Sequence, residues 1–281
     1  MQEADQRLWE HSTQLVAPLS RLPTMKLPFG LGAVSTSFFL IACVGAAPLP
    51  AKAIALNNNA AYNIARGDLD RAQAETKVAL EYNPKFIEAT YNLGIIEYER
   101  GNYVAARIQF LRARILNGDL PWGPFGLGLV SDAADRPKEA EGYYRDALAI
   151  DPGFTEARMN LASTLTKQGN LEGAYAELKK CVETSPAVTE VWVMLLQSGT
   201  ELKRFSDLDD IVKGASLHIP KPEVAVVRAL RLLAQDRVNI MSIDEVEHTV
   251  RDARTRLSPS WQAAVDVMLE KLSEIRQMKA N

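Results

Sequence analysis

The chain has 281 residues and is 47% hydrophobic, enough apolar material for a substantial core. Its 32 basic and 35 acidic side chains nearly cancel to −3, and no basic block occurs, so charge argues against nucleic acid as a partner. Two cysteines, Cys43 and Cys181, are too few for a disulfide-stapled scaffold, which a domain of this size does not need.

Met1 to Thr24 mixes charges with Trp9 and Leu15 and is too short to pack by itself. It reads as an upstream extension (1–24) ahead of a natural start at Met25. Met25-Lys26 and the uncharged stretch from Leu27 to Ala51 have the basic start, apolar centre and small-residue end of a secretory signal. We expect a signal peptide over 25–42 and a linker over 43–52. Leu40-Ile41-Ala42-Cys43 resembles a bacterial lipobox, in which Cys43 carries the lipid through a thioether. That implies a membrane-anchored lipoprotein of the bacterial cell envelope, facing the periplasm. Ala51-Lys52-Ala53 resembles an ordinary signal-peptidase site and gives the alternative, a soluble periplasmic protein cleaved at Ala53. A third reading keeps 1–24 as a cytoplasmic tail before an uncleaved anchor. Pro28, Gly30, Gly32 and Pro48 make a poor spanning helix of the usual ~20 residues.

From Ala53 onward one interval of 34 residues governs the chain. Asn83-Pro84, Asn117-Gly118, Asp151-Pro152, Ser185-Pro186 and Ile219-Pro220 end successive segments. Ala72, Ala106, Ala140 and Ala174 keep the same step, as do Ala79, Ala113, Ala147 and Cys181, and Leu93, Leu127, Leu161 and Leu195. Self-similarity at a fixed period marks a repeat architecture. Each unit splits into two helix-length halves at a break such as Gly67-Asp68, Gly101-Asn102 or Gly169-Asn170. Tyr103, Ala106, Phe110 and Ala113 share one helix face, and the prolines fix each stop. Cys181, standing in a small-residue series, reads as a packing thiol. In the third unit Pro121 fits a first helical turn, and Pro124 is expected to distort it slightly. The glycines around Phe125 are no phosphate loop, since neither a strand nor a Lys-Ser/Thr pair accompanies them. Five clear units span 53–222. A degenerate sixth (223–256) has a second helix expected to start at the capping box Ser242-Ile243-Asp244-Glu245. Over 257–281, Trp261, Val265, Met268, Leu272 and Ile275 form one stripe, as a terminal capping helix requires.

No catalytic set is present. His11, His218 and His248 are scattered without metal-ligand spacing, and no nucleophile turn of the Gly-x-Ser-x-Gly kind occurs. Glu97 and Glu99 point different ways and read as a solvated face. The expectation is a non-enzymatic chain with no cofactor, metal or small-molecule substrate.

Asn92-Leu93-Gly94, Gly101-Asn102-Tyr103, Ala106, Phe110 and Ala113, with Tyr144, Ala147 and Asp151-Pro152, resemble the tetratricopeptide repeat family. The resemblance implies an all-α fold: a right-handed superhelical α-solenoid of stacked helix-turn-helix repeats over 53–256, closed by the C-terminal capping helix. It also implies a concave surface, lined by the first helix of each pair, that holds an extended peptide. Carried over by the repeat, the partner-binding groove comprises Asn58, Tyr91, Asn92, Ile95, Phe125, Leu129, Met159 and Asn160. The asparagines would pair with a peptide backbone, and Tyr91, Phe125 and Met159 would supply apolar pockets. The inward rows lack the lysines and arginine of members that clamp a terminal carboxylate. In layout the chain resembles the pilotin lipoproteins of type IV pilus machines. The expected role is a scaffold or assembly factor of the cell envelope, binding another envelope protein or an extended peptide. The alternatives are an adaptor that recruits or restrains a cell-wall enzyme and an inner-membrane-anchored assembly factor.

Overall fold

The computed structural model describes residues 49–234 and 240–280, so the expectations for the upstream extension, the signal peptide and Cys43 lie outside the described residues. Every element among the described residues is an α-helix. They run α1 (Ala51–Ala65), α2 (Leu69–Tyr82), α3 (Ile87–Glu99), α4 (Tyr103–Leu116), α5 (Trp122–Ala133), α6 (Pro137–Ile150) and α7 (Thr155–Lys167). Then follow α8 (Leu171–Thr184), α9 (Thr189–Glu201), α10 (Phe205–His218), α11 (Lys221–Leu233), α12 (Ile240–Arg254) and α13 (Pro259–Ala280). The fold is an all-α solenoid of helix pairs. None of these helices is long and apolar enough to cross a membrane.

Two turn types, each repeated, generate the pairs. Within a pair the first helix ends on a left-handed residue. Gly67, Gly101 and Gly169 sit there at φ 78–79°, and Asp135 (54°) and Lys203 (57°) hold the same place in the third and fifth pairs. The next amide then reaches back five residues. Asp68 donates to the Asn63 carbonyl, Asn102 to Glu97, Arg136 to Ser131, Asn170 to Leu165 and Arg204 to Gly199, all at 2.9 Å. This closes the orphan carbonyls of the helix end. Asp135 and Lys203 each carry strain on the order of 1 kcal/mol that glycine would avoid. Between pairs, Asn83, Asn117 and Asp151 accept from the amide two residues on, at 2.8–2.9 Å. These Asx turns stop one pair and aim the next.

The residues divide into two compact units between Thr164 and Leu165. In the first unit the small-residue series is buried: Ala72, Ala79, Ala106, Ala140 and Ala147 are inaccessible, and Ala113 nearly so. Phe110 from α4 lies between two glycines. A Cβ on Gly94 of α3 would stand 2.5 Å from its ring, and one on Gly126 of α5 would overlap it more deeply. Glycine at these places lets the ring fill the space between consecutive pairs. The first helices, α1 with α3 and α3 with α5, pack more closely than the second helices do, so the first-helix layer is the inner one.

In the second unit α9 packs on α11 in the same way. Cys181 is fully buried. Trp192 donates its indole N–H to the Pro186 carbonyl at 2.8 Å and stacks on His218. Trp261, Val265, Met268 and Leu272 of α13 are all buried, and α13 packs on α12. Arg254 pairs with both oxygens of Asp266 at 2.6 and 2.7 Å across those two helices. That pair is solvent-exposed and contributes little, so burial of the apolar stripe dominates.

Pro124 is the third residue of α5, where its missing N–H would have no partner, and Phe125 closes the first turn onto the Pro121 carbonyl at 3.0 Å; the helix opens at Trp122, one residue later in the 34-residue step than α3, α7 and α9. Two local expectations need correction. Helix α12 begins at Ile240, two residues ahead of the Ser242 capping box. Glu97 is half-buried rather than a solvated carboxylate. It accepts from Gln73 at 3.0 Å and from Asn102 at 2.9 Å, tying α3 to α2 and to its own turn.

Candidate functional site

The inner layer of the first unit carries the candidate site. On α3, Glu88, Asn92, Ile95 and Glu99 recur every three or four residues and share one face. The repeat places Trp122, Gly126 and Leu129 on the matching face of α5, and Glu156, Asn160 and Ser163 on that of α7. Asn58 occupies this row on α1 and is exposed.

The asparagine amides are at most partly satisfied within the layer. Asn92 donates one N–H to the Oδ1 of Asn57 at 2.8 Å, linking α3 to α1. Its carbonyl and second N–H, and the whole amides of Asn58 and Asn160, have no partner among the described residues. Asn92, Asn160 and Leu129 are half-buried, so they are both held and accessible.

The apolar members are placed differently. Tyr91 (9% exposed), Ile95 (2%), Phe125 (3%) and Met159 (8%) belong to the core and are not open pockets. Tyr91 packs on Phe110 and Trp122, with ring centroids 5.6 and 6.2 Å apart. Phe125 packs on Phe154 at 4.8 Å and on Tyr144 at 6.0 Å. The reason is that each first helix is overlaid by aromatics from its own second helix and from the following unit. Counting positions within one unit cannot reveal that cover.

Two further rows belong to the same layer and were not singled out from the sequence, although both follow its period. One is Glu88, Trp122 and Glu156, all half-buried. The other is Tyr98 and Asp132, also half-buried. Burial, and then the Glu156 carboxylate, raise the Tyr91 phenol well above its ordinary range. Burial first, then neighbours including Glu99 and Asp132, push the Tyr98 phenol up to about 12. Both phenols therefore stay neutral at physiological pH. Asp132 accepts from the Thr164 hydroxyl at 3.1 Å and from Tyr144 at 3.4 Å, which joins α5 to α6 and α7. Among the described residues no three His, Cys, Asp or Glu side chains gather as metal ligands.

Comparison with known proteins bears on the fold that carries these rows. Two family models described as tetratricopeptide repeat match residues 59–120 and 133–198. Among solved structures, PilW, described as a widely conserved type IV pilus biogenesis factor, superposes with a TM-score of 0.58 at 20% identity, covering 77% of this chain and 99% of PilW. The pilF protein of Pseudomonas aeruginosa superposes with a TM-score of 0.57 at 14% identity, covering 75% of this chain and 96% of that one. At such identities the likeness concerns the fold. The probable biofilm formation methyltransferase WspC of Pseudomonas aeruginosa is 42% identical over 50 residues, which are 18% of this chain and 12% of that protein. A match over so small a share of WspC transfers no activity.

Proposed function

The repeat array belongs to the tetratricopeptide repeat family, and on that premise we propose that the chain is a non-enzymatic scaffold of the bacterial cell envelope. It holds an extended segment of a partner protein along the inner layer of α1, α3, α5 and α7. The observation that carries this reading is the hydrogen-bonding capacity left over on the amides of Asn58 and Asn160 and on the carbonyl and second N–H of Asn92, none of which has a partner among the described residues. A primary amide offers donor and acceptor together, so a row of them can pair with a peptide backbone. Leu129 and the edge of Trp122 add half-buried apolar surface beside it. The array fits the fold of PilW, a type IV pilus biogenesis factor, and that likeness supports an assembly role in the envelope.

Anchoring through a lipid on Cys43 is part of the proposal, with a soluble periplasmic protein cleaved at Ala53 as the alternative. Ala53 is fully buried in a cluster with Ala79, Phe86 and Ala89, against which Leu49 also packs. A chain cut after Ala53 would lose both Leu49 and Ala53 from that cluster, which supports processing upstream.

One cell-based experiment tests both parts. A photo-crosslinking residue is placed at Asn92, Asn160 or, as an outer control, Arg145, in wild type and in Cys43→Ser. We expect adducts from Asn92 and Asn160 but not from Arg145, and we expect Cys43→Ser to leave the membrane fraction. Equal adducts from all three positions would remove the groove. An unchanged membrane fraction would remove the lipid anchor.

A further inference from the structure

The outer face of α4 carries a line of aliphatic side chains that nothing in the first unit covers. Val104 is 78% exposed, Ile108 57% and Ile115 83%, with Leu111 half-buried between the last two. Their spacing is four, three and four residues. That spacing puts them on one face of the helix, where they can serve as the a and d positions of a two-heptad coiled-coil seam. The core-facing side of α4 is already used, since Ala106, Phe110 and Ala113 are buried on it. Isolated exposed aliphatics need no explanation, but a continuous line of them marks an interaction site.

The flanks say what kind of partner fits. With Val104 and Leu111 at d and Ile108 and Ile115 at a, Arg107 and Arg114 fall at g and Arg112 at e. Helix α4 contains no acidic residue, whereas α2, α6, α8 and α10 contain three each. Arg107 is bound to Glu139 at 3.1 Å and Arg112 donates to the Pro84 carbonyl at 2.7 Å. Arg114 is exposed with no carboxylate in ion-pair reach among the described residues. The e and g positions choose coiled-coil partners by charge. A second copy in either orientation would set arginine against arginine, which disfavours self-pairing.

We propose that this face docks an amphipathic helix of a partner protein, apolar at a and d and carrying Asp or Glu at e and g. The site lies on the second-helix layer and does not depend on the function proposed for the inner one.

The test uses the full chain and two synthetic peptides of three heptads, both with Ile at a and Leu at d. One has Glu at e and g, the other Lys, and binding is followed by fluorescence anisotropy. The Glu peptide is expected to bind saturably and to weaken about tenfold or more as salt is raised. The Lys peptide should show no saturable binding. Ile108→Glu with Ile115→Glu should abolish binding with helicity unchanged, because both side chains are exposed. Arg112→Glu with Arg114→Glu should reverse the preference toward the Lys peptide, an outcome a merely greasy surface would not give. The proposal falls if the Glu peptide does not bind, if both peptides bind alike, or if the preference for the Glu peptide survives Ile108→Glu with Ile115→Glu. It falls equally if the chain forms a concentration-dependent dimer that Ile108→Glu abolishes, or binds phosphatidylglycerol vesicles but neither peptide.

Discussion

Phe110→Ala is expected to destabilise the first unit by about 3–5 kcal/mol. The Phe110 ring is completely inaccessible, lies between Gly94 and Gly126, and packs on Tyr91 with ring centroids 5.6 Å apart. Removing it opens a hole between two helix pairs. Neither glycine has a side chain that could move in to fill that hole. Because each repeat contacts mainly its neighbours, the loss should concentrate there. Hydrogen exchange should show faster opening of α3, α4 and α5 than of helices in the second unit, and urea midpoints should give the size. A loss under about 1 kcal/mol would mean that the ring does not hold the pairs together.

The second large effect concerns Tyr91 and Phe125, which the family resemblance assigns to the groove. Replacing both with alanine is expected to cost more than either change alone, about 3–5 kcal/mol for each truncated ring, and to melt part of the array. The structure places Tyr91 against Phe110 and Trp122, and Phe125 against Tyr144 and Phe154. These rings join consecutive units, so losing them should reduce far-UV helical signal and thermal stability together with any binding. If the double variant kept full helicity and its melting temperature while losing a partner, the rings would return to the groove. Asn92 and Asn160, half-buried and with unpaired amide groups, are the places where binding can be altered without dismantling the core.

The contrast between Tyr91 and Asn92 shows where a linear reading stops. The repeat correctly sets both on a first helix, one residue apart. Adjacent helical residues differ by about 100° in direction, so one step separates core from surface. Which of the two is covered depends on Trp122 from the following unit and on Phe110 from the following helix. The left-handed turn residues teach the same lesson in reverse. Gly67, Gly101 and Gly169 announce the break between paired helices, but Asp135 and Lys203 adopt the same backbone without the residue type that signals it. There the 34-residue step is the better guide, because neighbouring pairs impose the geometry. Glu97 was unreadable for a different reason: its partners Gln73 and Asn102 come from another helix and from the turn.

By itself the amino-acid order determined the helix pairs, their period and their stops, since those arise from turn chemistry and from contacts a few residues apart. Only the stacked structure decided which inner-layer side chains became mortar between units and which stayed accessible. It also left the Val104, Ile108 and Ile115 edge of α4 uncovered. Burial is a property of the neighbouring pair as much as of the residue, and a neighbour's reach is not written in any single repeat.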